Sequence, residues 1–388
     1  MNSALTRLHI HERQEGFRGN FQAGVSLHCH TYHSKEVLSF IPRYTARVPI
    51  LSRLFKNELE RYLTLHGSLI DFGLAYWTPP LSPRQVYELE TLQIEKELYL
   101  PALVSITDHD DIEAGRHLQV LDGANRVPIS LEWTVPYGAG FFHLGVHNLP
   151  PETVTETTRE LKKYTEQAPD ARPLGDLLAL LNESAETLIV LNHPLWDIES
   201  IGAQQHAGAL KGFLEEHRNW IHALEINGFR SWRENQAVKQ LAEDLGLPAV
   251  SGGDRHGCQP NTMLNLTQAG TFRDFVAEIR EDAHSEVLVM PKYRESTIAR
   301  MFEVVAEVLN NYPHHPLAQT KWTDRVFIDR SDGLGAQPLS RYWKIGGPRW
   351  VRASLWCLRM LGSHQIQSAL RLALAHEKVP AERVSYES

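Results

Sequence analysis

The sequence predicts an α/β fold, a barrel of short parallel strands with helices between them. Three observations lead there. Seven short runs rich in Val, Ile and Leu, at about 23–30, 102–108, 127–133, 141–147, 187–192, 222–227 and 248–253, are mostly apolar on both faces, as strands buried in a parallel sheet are. Helical periodicity fills several of the gaps, and alternation of this kind marks the α/β class. The runs also carry ionisable groups suited to metal: His28 and His30, Asp108-His109-Asp110, Glu132, His143, His193, Glu225, and Asp254 with His256. A parallel barrel gathers the C-terminal ends of its strands at one mouth, so groups this far apart in sequence could share one pocket.

In the first run, His28 and His30 are two apart and point to one side of a strand, while Cys29 faces away. Residues 36–80 then mix aromatic, apolar and basic side chains (Phe40, Arg43, Tyr44, Phe55, Arg61, Trp77) and are too apolar to be disordered. An insertion between a strand and its helix emerges at the active face, so this one reads as a helical lid or as a packed surface excursion. Arg84 to Leu98 follows a Ser82-Pro83 start and repeats Val86, Leu89, Leu92 and Ile94 at helical spacing. Asp108, His109 and Asp110 follow Leu103-Val104-Ser105-Ile106 with only Thr107 between, a placement that costs stability unless the groups are paired or ligated.

Glu132 closes the third run, where a carboxylate can bridge two cations. His143 and His147 share one side of the fourth strand; the first reads as a ligand, the second as an ordinary polar or supporting group. Leu174, Leu177, Leu178 and Leu181 form one helical face. His193 stands between Asn192 and Pro194, and the proline can fix the direction of the imidazole. Glu225 is a ligand or, as the safer reading, a supporting carboxylate. The helix from Asn235 stops near Gly246, and Asp254 and His256 lie between Gly252-Gly253 and Gly257, where the backbone has unusual freedom.

Six histidines and at least two carboxylates exceed the needs of one tetrahedral ion, which implies two or three divalent cations. Mixed imidazole and carboxylate donors suit Zn, Mn or Fe without choosing among them. Such ions acidify water and accept the non-bridging oxygens of a phosphate.

At 388 residues the chain is long enough for a large domain with an appendage. From Pro291 onward it carries 14 Lys/Arg against 9 Asp/Glu, whereas the first 290 residues carry 25 against 38. The acidic part suits metal binding and disfavours a long nucleic-acid groove, which must neutralise phosphates. Three cysteines without CxxC spacing argue against a disulfide framework and for a cytoplasmic location. No secretory signal or membrane-length apolar run is read. After Pro291, Ile298 to Asn310 reads as an amphipathic helix and Trp350 to Ala375 as one or two more. Their apolar faces are expected to pack on the barrel or a second subunit rather than on a membrane.

At these residues the chain resembles the polymerase and histidinol phosphatase (PHP) family. An HxHTxxS start appears as His28-Cys29-His30-Thr31-Tyr32-His33-Ser34, a TDH segment as Thr107-Asp108-His109, an isolated histidine as His193-Pro194, and a DxH end as Asp254-Arg255-His256. The resemblance spans about Val25 to Gly257, interrupted by residues 36–80. It implies a distorted (β/α)7 barrel of the TIM-like PHP type over residues 1–290, with a helical insertion at 36–80 and a helical C-terminal extension over 291–388. It implies that His28, His30, Glu132 and Asp254 hold one ion, and that Glu132, His143 and His193 hold a second, with Glu132 bridging. His109 and His256 would hold a third where it exists. Lys35 stands where family members often have Asp, and Ser26 replaces another frequent Asp, so Glu36 enters as a third-site ligand by a small shift.

The expected activity is metal-dependent hydrolysis of a small phosphorylated substrate, a nucleotide or phosphomonoester, by a metal-bridging hydroxide. Glu132, Asp254 and His109 are the expected catalytic groups. Arg230, Arg255 and His33 are the expected phosphate contacts, with Arg43, Arg47 and Arg53 as weaker candidates. The alternatives are an exonuclease on short single strands and a non-catalytic metal-binding scaffold. The sequence does not choose the oligomeric state.

Overall fold

A computed structural model of the chain describes residues 5–11, 20–46, 49–67, 69–167, 172–330, 333–363, 366–367 and 379. Fourteen strands form among them: β1 Thr6–Ile10, β2 Ala23–Ser26, β3 Glu36–Val37, β4 Asp71–Trp77, β5 Ala102–Val104, β6 Leu131–Tyr137, β7 Gly140–His147, β8 Leu188–Asn192, β9 Ala223–Asn227, β10 Ala249–Gly252, β11 Met263–Thr267, β12 Ser285–Val289, β13 Val326–Asp329 and β14 Gln337–Pro338. Each of the seven expected runs overlaps one of these strands, though β6 runs on to Tyr137, past the expected end at 133. Two five-stranded sheets run in the orders β1-β12-β11-β2-β5 and β10-β9-β8-β7-β6. They approach at two isolated parallel bridges, Cys29 with Arg255 and His109 with Glu132. These bridges link β5 to β6 and β10 to β2, but neither is a ladder, so no continuous ladder closes a barrel.

The direction of one strand corrects the expectation of an all-parallel set. β6 continues past Glu132 and turns back at Gly138 (φ 62°) into β7, which is antiparallel to both β6 and β8. Reversal puts the early part of β7 beside the end of β8, with His143 opposite Asn192. His147 is carried to the other end, where Nδ1 lies 2.8 Å from the Ser105 hydroxyl. This separates the two histidines that strand spacing alone left on one side.

The helices obey their local signals. Pro83–Leu98 begins with a reciprocal Ser82–Gln85 capping box and ends on Tyr99 in the left-handed region. Trp232–Leu245 is capped by Ser231 and ends on Gly246 at φ 68°. Phe272–Arg280 packs Phe272, Phe275, Val276 and Ile279 against Val25, Leu27, Val190 and Val250. This apolar cluster joins strands of both sheets.

The insertion is not purely helical, nor is it separate from the C-terminal segment. It holds helices Ile41–Ala46 and Pro49–His66, but also β4. β4 pairs with β3 on one side and with β13 on the other, giving a sheet of order β14-β13-β4-β3. Leu38, Tyr62, Ala75, Ile328 and Leu339 form the buried core of this annex. Helix Thr297–Val308 matches the expected amphipathic stretch, and Arg349–Leu361 supplies the first part of the next. Leu370 and Leu374, assigned to the same stretch, lie outside the described residues, as does Arg47. No described helix is long and apolar enough to cross a membrane.

Candidate metal centre

Glu132 is at the centre of the site. It enters at the start of β6, is 1% exposed, and each carboxylate oxygen faces a different group of imidazoles. Oε2 lies 3.0 Å from His28 Nε2, 3.4 Å from His30 Nε2 and 3.3 Å from His109 Nδ1. Oε1 lies 3.2 Å from both His143 Nδ1 and His193 Nε2 and accepts a hydrogen bond from Asn192 Nδ2 at 2.9 Å. Asp254 Oδ1 stands 3.7 Å from His28 Nε2 and 3.5 Å from His30 Nε2. Glu36 reaches His109 Nε2 and His256 Nε2, each at 3.2 Å. All nine expected ligands therefore converge. They form four overlapping sets: His28-His30-Asp254, His30-His109-Glu132, His30-Glu36-His256 and Glu132-His143-His193.

The hydrogen bonds behind these rings decide which nitrogens face inward. His28 Nδ1 lies 2.6 Å from Glu225 Oε1, so in the neutral ring it donates there and Nε2 carries the lone pair. The Ser34 hydroxyl donates to Glu36 Oε1 at 2.7 Å and accepts the backbone N–H of His109 at 3.1 Å. Its 3.2 Å contact with His30 Nδ1 is then one in which the ring donates. His30 Nε2 is consequently also a lone pair, 3.0 Å from that of His28. Two neutral nitrogen lone pairs facing each other and two carboxylates are repulsive unless a cation lies among them. His109 Nδ1 is a buried nitrogen with no hydrogen-bond partner. On these grounds the residues present fit divalent metal.

Electrostatics agree. Burial opposes charge on Glu132, yet His28, His143 and His109 hold it well below the carboxylate range. The same balance, with His109 and His256 as partners, lowers Glu36. Burial brings His143 down to about 4, and burial with the neighbouring His256 brings His30 to about 4, leaving both as neutral donors. His28 and His109 go the other way. Burial is outweighed by Glu132, Glu225 and Asp254 at His28, and by Glu36 and Glu132 at His109, which rises to about 10. Metal is the alternative to those protons.

Supporting residues hold the centre in place. Glu225, the doubtful ligand, is the carboxylate behind it: besides His28 it accepts the backbone N–H of His193 at 2.9 Å. That bond, with Pro194, fixes His193 at φ 30°; Asp254 sits at φ 50°. Both are costly conformations for residues with a side chain and persist only under such restraint. The glycines before Asp254 serve a different purpose from the one expected. Neither Gly252 nor Gly253 has positive φ; a Cβ on Gly252 would lie 1.6 Å from Glu225 Oε1, and one on Gly253 1.9 Å from Asn261 Oδ1. Asp108, buried and raised to about 7 by burial, accepts both the Thr31 N–H and hydroxyl and ties the first motif to the second. Ser34, Asn192 and Asn227 were not singled out from the sequence. They show no spacing of their own, and only their position inside or beside the motifs marks them.

The expected phosphate contacts separate. Arg255 is 5% exposed, with its guanidinium committed to Glu90 at 2.7 Å and to the carbonyls of Gly257 and Cys258. It braces the scaffold and has no fork left for substrate. His33 turns toward Tyr32 and His117, with ring centroids 4.6 and 5.1 Å away. Arg230 stays at the mouth: it is held by Glu234 and lies 4.7 Å over Trp196, whose ring is 5.2 Å from that of His193. Arg43 pairs with Glu199 at 3.0 Å, joining insertion to body.

No family model matches the chain, and no curated protein matches it. Among solved structures it is similar to PsfC from Pseudomonas syringae PB-5123 at 16% identity and a TM-score of 0.36, over 55% of this chain and 86% of that one. An amidohydrolase from Chromobacterium violaceum, with bound sulfate and no metal, gives 14%, 0.34, 60% and 87% for the same quantities. A protein provisionally assigned as a metal-dependent phosphoesterase, from Bifidobacterium adolescentis, gives 15%, 0.29, 52% and 91%. Likeness at this level leaves the functional reading to the chain's own residues.

Proposed function

We propose that this chain is a metal-dependent phosphoester hydrolase of the PHP type, its strands β2 and β5–β10 forming a distorted seven-stranded barrel around two or three divalent cations. The observation that carries the reading is Glu132, whose two oxygens face two separate groups of imidazoles. His28, His30 and Asp254 would hold one ion; His143 and His193 a second, with Glu132 shared; and Glu36, His109 and His256 a third. When bound, such ions neutralise charge on ester oxygens and lower the pKa of water.

The chain supplies the rest. Arg230 offers positive charge at the mouth, its direction set by Glu234 and Trp196. Asp254, with Oδ2 3.3 Å from the Asn227 amide nitrogen, orients the nucleophilic water and takes its proton. With two ions bound and the third position empty, His109, 12% exposed at the rim, is the group placed to return a proton to the leaving oxygen; with a third ion bound it is a ligand instead. The motif order favours phosphoesters among hydrolysable bonds. Arg230 is the one Lys or Arg among the described residues that line the cavity outside the cluster, which disfavours the nuclease reading.

The test is elemental analysis of protein purified without added metal, with the same sample assayed on a nucleotide, a sugar phosphate, bis(p-nitrophenyl) phosphate and a short oligonucleotide. Two or more ions per chain with turnover of one class is expected. Full metal occupancy without turnover would establish a scaffold instead, and absence of metal would refute the whole reading.

A further inference from the structure

The metal cluster opens into a cavity of about 740 Å³. Voids larger than a water molecule are few in packed interiors, whereas ligand pockets fall at roughly 300–1,000 Å³. Its walls come from the annex and from the segment after Pro291: helix Pro49–His66, β4, helix Thr297–Val308 and helix Arg349–Leu361. The lining is almost wholly aliphatic and aromatic. Among the described lining residues only Glu58, Arg230, Asp254 and His256 carry a carboxylate, guanidinium or imidazole. The last three belong to the metal end: Asp254 and His256 are in the cluster, and Arg230 reaches it through Trp196 and His193. Trp77 closes that end, its ring 5.6 Å from His256.

Away from the cluster, much of the apolar surface of the described residues stays exposed. Helix Arg349–Leu361 buries none of its residues, yet Trp350, Val351, Leu355 and Leu358 face the cavity. Met301 and Val305, on the opposing helix, are 51% and 38% exposed. A nucleotide base or a sugar needs hydrogen-bonding partners along its length, and this wall provides few. An apolar body needs none.

Resting on the phosphoester reading above, we infer that the substrate is amphiphilic: its anionic head lies at the metal cluster and Arg230, and a long apolar tail fills the annex cavity.

The test is calorimetric binding of n-alkylphosphonates, from ethyl to dodecyl and below micelle-forming concentrations, to the metal-loaded full chain. Affinity should rise about fourfold per methylene until the cavity is full, with a negative heat-capacity change that grows with length. Met301→Glu, at an exposed position that leaves folding intact by circular dichroism, should weaken dodecylphosphonate binding at least tenfold. Length-dependent binding without hydrolysis of any phosphoester would uphold the tail site and overturn the phosphoester reading alone. Turnover of short polar esters with affinity independent of tail length would overturn the tail site alone. Flat affinity together with a dimer that Met301→Glu dissociates would overturn it too, because a second copy would then cover the face.

Discussion

The metal centre and the annex cavity adjoin but follow opposite rules of construction. The centre is buried, polar and determined several times over: most ligands have a second partner that sets tautomer or direction, as Glu225 does for His28 and Ser34 for His30. The cavity is apolar, wide and walled by helices that bury little of themselves. Fixed donors set the chemistry and leave little room for variation. A loosely filled apolar wall sets selectivity and can change without disturbing the donors. If that division is real, damage to one region leaves the other intact.

The largest effect should come from Glu132→Gln. The amide keeps the volume but removes the charge shared by five imidazoles, so metal content should fall and hydrolysis should drop by about 10³-fold or more. The cavity should still take up an apolar dye as the parent does. Loss of dye binding in step with metal would show that the two regions are one cooperative unit, and the comparison would fail. Gly252→Ala strikes the same region sterically. Its Cβ would collide with the Glu225 carboxylate and the His28 Cβ, so a loss of about 3 kcal/mol in denaturant unfolding is expected, with reduced metal affinity. Wild-type stability in that variant would mean Glu225 can move freely, contrary to its bonding.

Ile328→Ala is the converse experiment, in the annex core. Deleting a buried side chain that is 4% exposed should cost about 2–3 kcal/mol. Metal stoichiometry measured under native conditions should stay at the parent value. Parallel loss of metal would again break the division.

The same contrast explains what was legible in the sequence. Ligands showed themselves because their signals are local: two-residue spacing in His28/His30 and Asp254/His256, and ionisable groups directly after apolar runs. Arg255 shows where adjacency misleads. It lies between two ligands, but on an extended chain its immediate neighbours point the other way, and its guanidinium pairs with Glu90 instead. The reversal of β7 was hidden because apolar runs read alike in either direction. The annex was hidden for another reason: β4 and β13 are some 250 residues apart, and nothing in either announces the other. Antiparallel pairing across such a distance turned a supposed helical lid and a supposed helical tail into one α/β unit.

The smallest of the expected effects separates a supporting carboxylate from a ligand. Glu225→Gln keeps a single acceptor oxygen, enough for the His28 ring or the His193 backbone N–H but not for both, and loses the charge. If Glu225 only orients His28 and His193, each cation should still bind, with affinity lower by about 10- to 100-fold and full occupancy recovered at higher metal concentration. Competition against a chromogenic chelator gives both numbers. Because Glu225 touches His28 and the backbone of His193, while His143 and His256 have other partners, the loss should fall on the sets that contain His28 or His193. The set of His30, Glu36 and His256 should keep its affinity. A uniform loss across all ions, or one ion lost outright at any concentration, would make Glu225 a ligand. It would also mean that restraint in this centre comes from the cations more than from the carboxylates behind them.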